Sequence, residues 1–138
     1  MKPVLLDTGV IVAWLDRSER HHRQCVEAFE NLTLPLMTCE AVIAESCYLL
    51  RNLHGATESI LDNVVSGLFQ IPFQLKGAAA DLRRVCHKYR DREIDLADAC
   101  LIHLANTFGT GEILTLDRDF AVYRWGRSNT FRNLVELD

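Results

Sequence analysis

Apolar positions along this chain fall into short runs that alternate with longer stretches of helical spacing. Residues 3–7, PVLLD, form an apolar run ending in an acid, as a buried strand does. TGVIVAWL follows and predicts a turn into a short helix. Between 18 and 32 the apolar residues Cys25, Val26, Phe29 and Leu32 repeat at helical spacing, with Ser18 placed as a cap. LPLMT (34–38) predicts a second strand, and CEAVIAESCYLLRNL (39–53) a helix closed by His54 and Gly55. TESILDNVVSGLF (57–69) predicts a further helix. QIPFQL (70–75) suits a strand at or near a sheet edge, because Pro72 cannot donate to a ladder. A helix with a basic C-terminal end is expected over 76–92, and another over 94–108 that GTG terminates. EILTLD (112–117) is a strand again ending in an acid, 117–125 a turn or short helix, and 131–138 a final strand.

Strands alternating with helices predict an α/β fold around a parallel sheet covered on both faces. At 138 residues the chain suits a single domain spanning 1–138, large enough to bury a core. The formal charge of −4 means that the overall field does not attract nucleic acid, so any such binding needs a local basic patch. The densest basic run, HKYRDR (87–92), sits at a predicted helix C-terminus, where the helix dipole already favours cations. The five cysteines are scattered, odd in number and without a C-x-x-C pair. They read as reduced, buried thiols of a cytoplasmic protein, with no zinc site. No stretch approaches 18 apolar residues, and MKPVLLD lacks the apolar run of a signal peptide, so no membrane association is expected.

The informative residues are acids on apolar faces, because a carboxylate is costly to bury unless paired or bound to metal. Glu45 has Ala41, Val42, Tyr48 and Leu49 as its helical neighbours, and none is a cation. Asp98 is flanked by Ile94, Asp95, Leu101 and Ile102. Asp7 and Asp117 close strands, and strand C-termini of an open parallel sheet meet at the crevice where ligands bind. Helix N-terminal turns reach the same edge, so these four acids can converge. Such a cluster repels itself without a cation, and oxygen-only ligands favour Mg²⁺ or Mn²⁺. Each acid also has a plainer role open to it. Asp7 and Asp95 can cap helices, Asp98 can complete a loose capping box with Asp95, Asp117 can form a turn with Asp119, and Glu45 can reach solvent.

The order D-T-G after the first strand, Glu45 in the third helix, D-x-x-D-A at 95–99 and T-x-D-x-D-F at 115–120 resembles the PIN-domain family. The resemblance covers roughly Pro3 to Leu137. It implies a three-layer α/β/α PIN-like fold and a metal-dependent endoribonuclease using Mg²⁺ or Mn²⁺, as in VapC-type toxins of toxin–antitoxin pairs. Asp7, Glu45, Asp98 and Asp117 match the family's acidic quartet. Thr8 matches its hydroxyl residue, Thr115 the threonine of T-x-D, and Asp95 a position acidic in some members; Asp119 stands as a substitute for Asp117. Gly9 departs from the family, which often has Ser or Asn there. Homodimerisation and an antitoxin lying across the groove are further implications of the resemblance. RNA would meet cations drawn from Arg17, Arg20, Arg118, Arg124 and Arg127, with Trp14, Tyr123 and Trp125 as candidate base-stacking residues; the plain alternatives are surface charge and, for Trp14, the core. The competing reading is a catalytically inactive PIN-like module that binds RNA or protein. A haloacid-dehalogenase-type phosphatase is disfavoured because Gly9 stands where a second Asp is needed, and a receiver domain because no Lys lies beyond Lys88.

Overall fold

The structure, a computed structural model, describes residues 2–32 and 35–137. In chain order the elements are β1 (Val4–Leu6), α1 (Thr8–Leu15), α2 (His22–Glu30), β2 (Leu36–Met37), α3 (Glu40–Leu49), α4 (Ala56–Val65) and β3 (Phe69–Gln70). They continue with α5 (Leu75–Lys88), α6 (Leu96–Phe108), β4 (Glu112–Leu114), β5 (Arg124–Trp125), β6 (Asn129–Thr130) and β7 (Arg132–Asn133). Five strands form one parallel sheet in the order β3-β2-β1-β4-β7, flanked by helices as an α/β/α sandwich. A separate antiparallel hairpin joins β5 to β6.

The sheet is organised around β1. Its residues Val4, Leu5 and Leu6 are all buried, which is why the run carries no polar alternation. β1 pairs with β2 on one side and β4 on the other, matching Leu5 with both Met37 and Ile113. Thr38, just beyond β2, donates its hydroxyl to Leu6 C=O at 2.8 Å and so ties the C-terminal ends of the two strands. Trp14 stacks on Phe29 with centroids 4.4 Å apart, so this tryptophan joins the packed interior.

Several boundaries differ from the sequence expectation. Ser18 does not cap α2, which begins at His22; its N–H and hydroxyl both bond Asp16 Oδ1 in a local turn. The edge strand β3 is Phe69–Gln70, so Pro72 follows the strand instead of interrupting it. The helix expected to run to residue 53 stops at Leu49, with turns leading to α4. Leu34 and Asp138, at the ends of two expected strands, lie outside the described residues. α6 ends as expected, with Gly109 in the left-handed conformation (φ 65°) that favours glycine. All five cysteines are free thiols, and among the described residues no helix is long and apolar enough to cross a membrane.

Candidate active site

β1 delivers Asp7 to the C-terminal edge of the sheet, where it starts α1. Its Oδ1 accepts from Thr8 N–H at 2.8 Å, and its Oδ2 from the Thr115 hydroxyl at 2.7 Å. Asp7 is therefore a helix cap and a site residue at once. α6 presents Asp98 in its first turn. Asp95 is the N-cap, accepting from Asp98 N–H at 2.8 Å, which satisfies an otherwise unpaired first-turn N–H. The Tyr123 hydroxyl donates to Asp98 Oδ2 at 3.1 Å. Asp117 follows β4, caps the short 3-10 turn Arg118–Ala121, and donates its N–H to the Thr115 hydroxyl at 3.0 Å.

These placements bring carboxylate oxygens of Asp7, Asp98 and Asp117 within 4.8 Å of one another. Asp7 and Asp98 are buried, at 5% and 7% exposure, so their mutual repulsion is poorly screened. Burial, with Asp117 and Asp95 nearby, pushes the Asp7 carboxyl up to about 6 despite its two hydrogen bonds. Burial and the charges of Asp7, Asp95 and Asp117 push Asp98 up to about 8. The wider cleft adds Glu19, Glu45 and Asp95, with no Lys, Arg or His among its described lining residues.

Thr8 lines this cleft, and its hydroxyl is buried without a hydrogen-bond partner. A cluster of hard oxygen donors that repel one another, beside an unused hydroxyl, fits a divalent cation and its waters. Asp7, Asp98 and Asp117 are the residues able to hold such an ion, with Thr8 beside them in the cleft.

The other residues singled out from the sequence are dispersed. Glu45 lines the cleft but is exposed and stands outside the three-carboxylate group. Asp119 turns away and pairs with Arg92 at 2.8 Å. Arg124 folds its guanidinium back onto the carbonyls of Ala121, Val122 and Tyr123. Arg17, Arg20, Arg118 and Arg127 are exposed, with no hydrogen bond or ion pair among the described residues. Tyr123 is fully buried against Tyr89 and Phe120, so it supports Asp98 and offers no stacking face to a base. Trp125 packs over Gly111 and donates its indole N–H to Thr130 C=O. The Tyr123–Asp98 bond was missed in the sequence, where nothing links two residues 25 positions apart.

A family profile described as PIN domain matches residues 4–126. This chain belongs to the PIN-domain family. Among related PIN proteins, it is 29% identical over 117 residues to Ribonuclease VapC26 of Mycobacterium tuberculosis (strain ATCC 25618 / H37Rv), covering 83% of this chain and 87% of that protein. The PIN fold is also seen in the crystal structure of M. tuberculosis VapC20, described as a sarcin–ricin loop cleaving toxin. That structure superposes with a TM-score of 0.77 at 16% identity, covering 86% of this chain and 93% of VapC20.

Proposed function

We propose that this PIN domain, with residues 1–138 acting as one unit, is a metal-dependent endoribonuclease and the toxin half of a toxin–antitoxin pair. The observation that carries the reading is the convergence of Asp7, Asp98 and Asp117 within 4.8 Å in a cleft with no described cationic lining. Kinship to Ribonuclease VapC26 supports RNA as the substrate. The oxygen-only donor set favours Mg²⁺ or Mn²⁺. When bound, such an ion lowers the pKa of water and neutralises charge on a scissile phosphate.

The chain's own residues supply the geometry. Thr8 N–H and the Thr115 hydroxyl each take one Asp7 oxygen, fixing the carboxylate plane. Tyr123 holds Asp98 Oδ2; burial and the adjacent Asp98 push its phenol up, so it stays a donor across the working range. The unpartnered Thr8 hydroxyl would orient a water there. Glu45 adds negative charge at the rim from α3. Exposed Arg17 and Arg118 are the cations assigned to phosphates, while Arg124 is engaged with its own turn.

A protein partner fits the α3–α4 face, where Tyr48, Leu49, Leu53, Leu61 and Val65 are exposed. Leu49 belongs both to this face and to the cleft, so an antitoxin or a second copy seated there would border the site. Five free thiols support a reducing, cytoplasmic location.

The test is cleavage of a single-stranded RNA with Mg²⁺ or Mn²⁺ by the native chain and by Asp7→Asn and Asp98→Asn. Cleavage that needs the metal and falls at least 100-fold in both variants is expected. Metal-independent or mutation-insensitive cleavage would sink the mechanism, and tight RNA or peptide binding without cleavage would favour an inactive binding module.

A further inference from the structure

β4 ends at Leu114, one residue short of the threonine that ties the acidic cluster together. β7 pairs with β4 through Arg132 N–H to Gly111 C=O and Leu134 N–H to Ile113 C=O, both 2.8 Å. Beyond that point a side chain takes over from the main chain. Thr115 N–H donates to Asn133 Oδ1 at 3.2 Å, and Asn133 Nδ2 donates to Thr115 C=O at 2.9 Å. Val135 N–H donates to the same Oδ1 at 3.1 Å and fixes the carboxamide's orientation. Asparagine suits this place because its carboxamide offers a donor and an acceptor side by side, as a peptide group does.

We propose that Asn133 is a positioning residue for the acidic cluster, gripping both backbone groups of Thr115 and thereby fixing its hydroxyl between Asp7 and Asp117. This role rests on the metal site proposed above. The Thr115 hydroxyl donates to Asp7 Oδ2 and accepts from Asp117 N–H, so one oxygen ties the Asp7 carboxylate to the backbone that carries Asp117. Residues that orient metal-holding side chains commonly contribute 10–100-fold to metal affinity. Asn133 lies outside the 4–126 span matched by the family profile, so the C-terminal strand adds a support that the profile does not cover. Asn133 is itself exposed, so Asn133→Ala opens no cavity in the core.

The experiment has two readouts on the full chain. In the metal-free protein, amide hydrogen exchange at Thr115 and Asp117 should quicken at least about ten-fold in Asn133→Ala, while Leu5, Leu6 and Ile113 keep their protection. Mn²⁺ binding by calorimetry should weaken about ten-fold in Asn133→Ala and in Thr115→Val. Adding Asn133→Ala to Thr115→Val should change Mn²⁺ affinity little further, because Asn133 acts through the hydroxyl already removed. Unaltered exchange at Thr115, unaltered Mn²⁺ affinity in Asn133→Ala, or additive losses in the double variant would overturn the role. A native chain that takes up no Mn²⁺ overturns the metal reading and this role together; native uptake that survives Asn133→Ala overturns this role alone.

Discussion

Asp98 holds its proton to about pH 8 because burial and three neighbouring aspartates disfavour its charged form. Asp7 behaves alike, at about 6. Both folded values lie above the ordinary 3.8, so between about pH 4 and 8 the folded chain binds more protons than the unfolded one. Stability therefore falls as pH rises through that window. Raising Asp7 from 3.8 to about 6 corresponds to ~3 kcal/mol. The thermal midpoint of the metal-free protein should drop between pH 5 and 8.5, and saturating Mn²⁺ should flatten the profile. Asp98→Asn should raise the metal-free midpoint at pH 8.5 while abolishing cleavage. At this scale the convergence of Asp7 and Asp98 was legible in the sequence, Asp7 because it closes a strand and Asp98 because its helical neighbours are apolar apart from Asp95, with no cation. Glu45 was read by the same rule, but its neighbours Tyr48 and Leu49 are 62% and 54% exposed, so its apolar stripe is surface. The supports from Asn133 and Tyr123 were not legible, because they join residues 18 and 25 positions apart through side chains alone.

At the scale of elements, α6 brings Asp98 to the site in a first turn that Asp95 caps. Asp95→Ala removes that cap and should lower stability by about 1 kcal/mol in denaturant titration, whereas Asp95→Ser retains a capping oxygen and should stay near the native value. The turn after α6 is set by packing. A Cβ on Gly111 would overlap the Trp125 indole, so Gly111→Ala must push the β5–β6 hairpin aside. A loss of about 1–3 kcal/mol is expected, read as a shift in the denaturation midpoint together with altered Trp125 fluorescence. Element type followed from periodicity almost throughout. Boundaries did not, because the sheet strands are only two or three residues long and owe their limits to pairing across the sheet. Ser18 illustrates the point: it has a cap's chemistry but spends it on Asp16, and it stands four residues before α2 begins.

At the scale of the whole molecule, a net charge of −4 and an acidic cleft leave little long-range attraction for RNA. Metal-free RNA binding should be weak, with a shallow dependence on salt. The α3–α4 face is the other large-scale feature, with Val65 at 87% exposure and Tyr48 at 62%. Replacing both, as Tyr48→Glu with Val65→Lys, should abolish self-association in sedimentation experiments and leave the thermal midpoint within about 2 °C of native. This face was only partly legible, because a helix pattern shows which residues are apolar but not which of them the core leaves uncovered.

β1 occupies the middle of the sheet, yet its partners in β4 lie more than a hundred residues further along the chain. Asp7 meets the Thr115 hydroxyl across a separation of 108 positions. The order of synthesis then sets when the acidic cluster can assemble. A growing chain that has not yet reached Glu112 lacks the strand that flanks β1, the hydroxyl that orients Asp7 and the third carboxylate. The acidic cluster thus cannot form in any shorter nascent fragment and is completed late, when β4 joins the sheet.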